Sequence, residues 1–268
     1  MGLNINTNLS ALEASRQTKR SSAALSKVLG QLASQKRINQ ASDDAAGLAI
    51  AERFNTQIRQ GQAEANSLQS GVNLAQTAEG GLSVQQDAVQ RIRDLSLQAQ
   101  NGTLNDDNRA ALNAEVQQLL GQIDSVATDT EFNGQNLLNQ NTTVDLGTEG
   151  GNQIDISRSN TQSLGLNGLD ISTPGGAAAA LAAADSALSD IESNRAGIGA
   201  QQNRFESAIG QREVAIQNQR EAESSIRDLD LARATADRTR DELLLRSSIS
   251  TLVQSNVTPQ SALRLLGN

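Results

Sequence analysis

The groups in this chain that could move a proton or hold a hard cation are its carboxylates: 30 Asp and Glu stand in 268 residues without a single histidine or cysteine. That inventory removes the commonest general base, the thiolate nucleophile and the preferred ligands of zinc, copper and haem. Carboxylate-only acid–base work survives it, and so does an oxygen-ligand site for calcium or magnesium. The acids are scattered, however, and none falls in the D-x-[DN]-x-[DN]-G-x5-E spacing that wraps calcium. The adjacent pair Asp43 and Asp44 is poorly placed to act as acid and base, because neighbours on a helix point about 100° apart. A hydrolase carried in the centre needs a cluster between residues 135 and 174, where only Asp145, Asp155, Asp170 and Glu149 occur, well apart. No catalytic, cofactor-binding or metal-binding residue is assigned, and the chain reads as something other than an enzyme.

What positions Asp43 and Asp44 is a helix start. Ser42 supplies an N-cap oxygen, and the two carboxylates then fall in the first turn, where the helix dipole favours them. The only prolines are Pro174 and Pro259, so long helices are permitted from the start of the chain to Thr173. Ile5, Leu9 and Leu12, then Leu25, Val28 or Leu29, and Leu32, give a first amphipathic helix with a weak middle. The second runs through Leu48, Ile50, Phe54, Ile58, Leu68, Val72, Ala75 and Ala78, and its ladder continues with Val84, Val89, Ile92 and Leu95 to the Asn101-Gly102 turn. Leu112, Val116, Leu119, Ile123 and Val126 form the cleanest heptad seam of the first half. The short loop before it makes these two segments antiparallel neighbours.

From Asp129 to Gly176 the composition turns to Asn, Gly, Thr and Asp. Thr143–Leu146 and Gln153–Ile156 alternate like strands around Gly147-Thr148-Glu149-Gly150-Gly151, which predicts a small β-hairpin. The alanine run Ala177–Ala184 favours helix and says little else. Beyond it Leu181, Leu188, Ile191, Ile198, Phe205, Ile209, Ile216 and Ile226 fall on two seven-residue ladders. A last apolar segment, Leu243–Val257, ends where Pro259 is expected to break the helix before the tail Ala262–Leu266. One unbroken helix over 177–257 would be on the order of 120 Å long, against a radius of gyration of about 18 Å for a globule of this length. Either the molecule is a rod or the helix breaks, with Asp228–Asp230 the place for it.

Residues 1–40 hold Arg16, Lys19, Arg20, Lys27, Lys36 and Arg37 against the single acid Glu13, while the whole chain carries a net charge of −8. With no aromatic before Phe54 and the bases widely spread, a solvated or partner-facing helix face is expected rather than a nucleic-acid or membrane arm. No signal-peptide stretch and no run near the ~20 apolar residues of a membrane span is present. Amphipathic helices at both ends, with no globular body beside them to cover their stripes, are stabilised chiefly by packing on partners. The residues expected to form such seams are Ile5, Leu9, Leu12, Leu25, Leu29, Leu32, Leu243, Ile249, Leu252, Val253, Leu263 and Leu266. Periodicity alone leaves a closed helical bundle and an open polymer of copies equally available.

Several motifs, in order, resemble one family. Gly2-Leu3-Asn4-Ile5-Asn6-Thr7-Asn8, Arg37-Ile38-Asn39 with Asp43-Asp44-Ala45-Ala46-Gly47 and Ala49-Ile50-Ala51, Ala75-Gln76-Thr77-Ala78-Glu79-Gly80, Gln90-Arg91-Ile92-Arg93-Asp94-Leu95, Glu131-Phe132-Asn133-Gly134 and Asn203-Arg204-Phe205 are similar to bacterial flagellin. The large outer insertion of many relatives is missing; Gln135–Pro174 occupies that interval. The resemblance implies a mainly α fold, a long antiparallel helical or coiled-coil rod built from both chain ends with a small β-hairpin region in the middle. Residues 1–40 plus 225–268 are then inner-tube terminal helices. Residues 41–224 are a rod domain, with helices over 43–100, 105–128 and 177–222 and the hairpin region over 129–176. It further implies a structural subunit that self-assembles into the flagellar filament for motility, the alternative being a hook–filament junction protein. Export through the type III apparatus explains an extracellular protein without a signal peptide. The implied partners are further copies of the chain, hook-associated and cap proteins, the export apparatus and an export chaperone near Leu243–Leu266. Toll-like receptor 5 contacts in the family match Arg91, Leu95 and Glu115, where Asp94 and Ser96 depart from the commoner Glu and Ala. No cofactor, nucleic acid or membrane insertion is implied.

Overall fold

The computed structural model describes residues 7–147 and 151–266, with side chains through Val257. Five helices, α1 (Leu9–Ser34), α2 (Ala45–Ala99), α3 (Asp106–Asp129), α4 (Pro174–Arg227) and α5 (Leu231–Leu266), carry most of it. Between α3 and α4 lie two antiparallel strand pairs, β1 (Glu131–Phe132) with β2 (Gln135–Asn136) and β3 (Thr142–Asp145) with β4 (Gln153–Ile156). The architecture is mainly α, as expected. The chain packs as two units, one made of the described residues up to Ile58 and from Gln217 onward, the other of Arg59–Ile216.

The helix ends follow side-chain capping, which corrects several sequence boundaries. Asp44, not Ser42, caps α2: its Oδ1 accepts from the Gly47 amide at 2.8 Å, so α2 begins at Ala45 and neither carboxylate lies inside its first turn. Asn105 caps α3 by accepting from the Asn108 amide at 2.8 Å. Thr173 caps α4 by accepting from Gly176 at 3.1 Å, and Pro174 takes the first helical position, where a missing N–H costs nothing. Helix α4 therefore starts before the alanine run and ends at Arg227, and Asp230 caps α5 by accepting from Ala232 and Arg233 at 3.0 and 3.1 Å. Pro259 does not end α5, which continues to Leu266. At Asn133-Gly134 both φ angles are positive, 52° and 74°, the conformation of a two-residue type I′ turn. That turn makes the β1–β2 hairpin.

In the second unit α2, α3 and α4 enclose a continuous apolar core. Leu68, Leu82, Val89, Ile92, Leu95, Val116, Ile123, Leu137, Leu138, Ile154, Ile198 and Phe205 all lie within it, essentially inaccessible to water. The buried line on α3 is Val116, Leu120, Ile123 and Ala127. It keeps Val116 and Ile123 of the expected seam and takes Leu120 and Ala127 in place of Leu119 and Val126, which with Leu112 are half-buried. On α4 the alanines Ala177, Ala180, Ala184 and Ala187 are wholly buried, and Ile191, Ile198 and Phe205 continue the same stripe. Small side chains there allow close helix approach, so the run is packing and not merely helix propensity. Val84, expected on the inner ladder of α2, is 43% exposed.

Polar side chains fix this unit where backbone groups are left over. The buried Gln85 donates to the Ile123 and Ser159 carbonyls at 3.2 and 2.7 Å and accepts from the Ser159 hydroxyl at 2.6 Å. Arg109, itself buried, donates to the Ala99 and Asn101 carbonyls at 3.1 and 3.2 Å and so closes the C-terminal end of α2. Gly81 sits where an added Cβ would meet the Thr130 hydroxyl at 2.6 Å and Leu138 Cδ1 at 2.8 Å.

Candidate functional site

In the first unit α1 and α5 lie antiparallel. Asn8 contacts Ser255 at one end of the pair. At the other, Lys36 bridges to Asp228, the Arg37 amide donates to the Arg227 carbonyl at 2.7 Å, and the Leu229 amide donates to Gln35 at 3.1 Å. The pairs 8 with 255 and 37 with 227 keep one register from end to end. What this pair buries is small or polar: Ala14 and Ser21 on α1, and Ala234, Asp241 and Ser248 on α5, each series spaced by seven. Seven-residue spacing is the signature of one continuous helix–helix seam.

Several of the large apolar side chains face the other way. Leu9 is 71% exposed and Leu243 62%, and Leu12, Leu29, Ile249 and Val253 are also exposed. Leu25, Leu32 and Leu252 are half-buried. Of the remaining seam residues singled out in the sequence, Ile5 lies outside the described residues, as do the side chains of Leu263 and Leu266. Leu231, Leu244 and Val257, not in that group, are exposed as well. The signal of Leu244 and Val257 was present in the apolar run Leu243–Val257, that of Leu231 was not, and which flank of a helix turns outward is decided by the partner it packs on.

The motif from Arg37 to Gly47 holds the α1–α2 turn. Ile38 is buried, and a Cβ on Gly47 would displace both its Cδ1 and the capping carboxylate of Asp44, each under 3.0 Å away. Gln31 donates to the Arg37 carbonyl at 2.7 Å and Asn39 to the Gly30 carbonyl at 3.3 Å. Asp43 accepts from the Asn39 and Gln40 amides at 3.2 and 3.3 Å and pairs with Lys27 at 3.0 Å. The hydrogen bond from Lys27, then that from the Asn39 amide, holds its carboxyl below the usual 3.8. The Arg37 guanidinium donates to the Ile226 carbonyl, and Arg227 pairs with Glu52 at 3.1 Å. The two turns of this unit are thus lashed together by backbone and side-chain bonds.

Elsewhere Arg91 and Glu115 meet: Nε and a terminal nitrogen of Arg91 donate to one Glu115 oxygen at 2.9 and 2.7 Å on the surface of the second unit. Leu95 is not brought to that surface. It is 1% exposed, inside the core. Among the described residues no three acidic side chains gather in a metal-holding group, and no helix is long and apolar enough to cross a membrane.

Against known proteins, residues 5–143 match the family profile of the bacterial flagellin N-terminal helical region and residues 181–266 that of the C-terminal helical region. A flagellin of Halalkalibacterium halodurans is 38% identical over 98% of this chain and 99% of its own length. A flagellar filament 30.7 kDa core protein of Treponema maltophilum is 36% identical over the same shares. The crystal structure of Bacillus cereus flagellin is 28% identical with a TM-score of 0.49, covering 54% of this chain and 86% of that one.

Proposed function

The chain belongs to the bacterial flagellin family, and from that premise we propose that the outward apolar surface of α1 and α5 is what joins one copy to the next. Flagellins are a structural family, and this chain is a subunit of the flagellar filament. Relatives named flagellin or filament core protein align with nearly the whole chain, which favours this over a hook–filament junction protein. The observation that carries the reading is the pattern of the pair: its fully buried positions are small or polar, while Leu9, Leu12, Leu29, Leu243, Ile249 and Val253 stand exposed.

Magnitudes explain why the outcome is a polymer. Covering one Leu or Ile contributes ~1.5–3 kcal/mol, so six such side chains supply on the order of 10 kcal/mol. Bringing two copies together costs roughly 4–15 kcal/mol in lost freedom. A single pairwise contact is therefore marginal, whereas a lattice lets each subunit make several contacts after being immobilised once. Head-to-tail contacts that do not close extend without limit.

In this proposal residues 1–40 and 225–268 are the inner-tube part and residues 41–224 the rod. Growth on hook-associated and cap proteins, passage through the type III export apparatus to the cell exterior, and chaperone capture near Leu243–Leu266 belong to the same reading. Toll-like receptor 5 contact is confined to the surface pair Arg91 and Glu115, with Leu95 acting from beneath as packing. The test is seeded growth. Leu9→Ser with Leu243→Ser should leave a folded chain that no longer elongates seeds; elongation at the wild-type rate would falsify the assignment.

A further inference from the structure

Asn8 uses the two halves of its amide on two different helices. Its Oδ1 accepts from the Ala11 amide at 3.0 Å and caps α1, while its Nδ2 donates to the Ser255 carbonyl in α5 at 2.8 Å. Ser255 stands four residues before Pro259. In an α-helix the carbonyl of residue 255 accepts from the N–H of residue 259, and proline has none. Helix α5 nevertheless continues to Leu266. The donor that α5 lacks within itself is supplied from the opposite end of the chain.

We propose that Asn8 is a register lock: it replaces the hydrogen bond that Pro259 cannot make, so that α5 beyond Ser255 holds its helical form only while the start of α1 is docked beside it. Capping alone does not call for asparagine, since aspartate caps a helix equally well. Only the amide also carries a donor. The lock sits at the far end of the pair from the Lys36–Asp228 bridge, and with both ends tied the two helices cannot slip past one another. The two termini are thereby made conditional on each other, independently of whether copies polymerise.

The test is amide hydrogen exchange of the full-length chain, read by mass spectrometry over residues 250–266, in wild type, Asn8→Asp, Pro259→Ala and the double variant. Asn8→Asp keeps the cap acceptor and removes the donor; it should speed exchange in that segment about five- to tenfold. Pro259→Ala returns an N–H to Ser255, so in that background the same substitution should change exchange less than twofold. Protection over residues 9–20 reports whether α1 survives. If α1 opens in Asn8→Asp and closes again in the double variant, the lock is supported; if it stays open, the idea falls. Equal acceleration in both backgrounds, no acceleration at all, or a wild-type segment that exchanges like free peptide each overturns it.

Discussion

The two units of this chain spend similar residues in opposite ways. In Arg59–Ile216 the large side chains Leu82, Ile92, Leu138 and Phe205 turn inward and vanish from water, while the α1–α5 pair of the terminal unit buries Ala14, Ser21, Ala234, Asp241 and Ser248 and leaves Leu9, Leu12, Leu243 and Val253 outside. One unit is complete as a single chain. The other has a seam that fixes register while leaving much of its apolar surface exposed, and in the proposal above that surface is covered by further copies of the chain. Amphipathicity measures how much apolar face a helix has, and the choice of inner face determines whether that face stabilises the fold or the assembly.

The sharpest way to break the contrast is to remove one side chain from each unit. Phe205→Ala should cost the second unit about 3–5 kcal/mol, read by urea unfolding, whereas Leu9→Ala should stay within about 0.5 kcal/mol in the free chain and slow seeded growth. A free-chain loss at Leu9 comparable with that at Phe205 would place Leu9 in a core after all. Removing residues 1–40 or 225–268 carries the same logic further: a soluble chain that keeps its second unit folded and does not polymerise is expected, and light scattering after seeding detects the contrary. Glycines probe packing more finely. Gly81→Ala adds a Cβ against Thr130 and the buried Leu138 and should lose about 1 kcal/mol after the gain in helix propensity is counted. Gly30→Ala on α1 meets nothing within 4 Å and should gain about 0.5–1 kcal/mol.

The smallest expected effect is titration at Asp43. Its folded carboxyl lies below the ordinary 3.8 through Lys27 and the Asn39 amide, so the unfolded chain takes up the proton first and stability falls with falling pH. The advantage of wild type over Asp43→Asn should be full near pH 6 and fade as acid passes 3.8 and then the lowered value. Urea midpoints at pH 6 and pH 2.5 measure it; an unchanged gap at both would show that Asp43 contributes through shape and not charge.

The helices and the β3–β4 hairpin were legible because their periodicities are long and uninterrupted, as at Leu112–Val126 and Gln153–Ile156. The site was half legible. Apolar residues at both chain ends announced uncovered surface, but nothing local distinguishes Leu9 from Leu82 until it is known which neighbour lies on which flank. Ala177–Ala184 was passed over because alanine has high helix propensity everywhere and only contact reveals its close packing. Gln85 and Ser159 carry no pattern at all, being partners 74 positions apart. Ser42 looked like the cap because it precedes two acids, yet the bond to Gly47 puts Asp44 there. Pro259 was read as a stop on local chemistry, while the donor that offsets its missing hydrogen comes from Asn8.

The antiparallel bridge that joins the two helix connections at Lys36 and Asp228 has a mechanical corollary. A pull applied at the termini does not run down one strand of polypeptide; it is divided between the two connections, each clamped to the other by backbone bonds such as Arg37 to Arg227 and Leu229 to Gln35. Rupture then requires both clamps to yield together, as in a rivet loaded in shear, so the terminal unit is reinforced where its two helix connections meet.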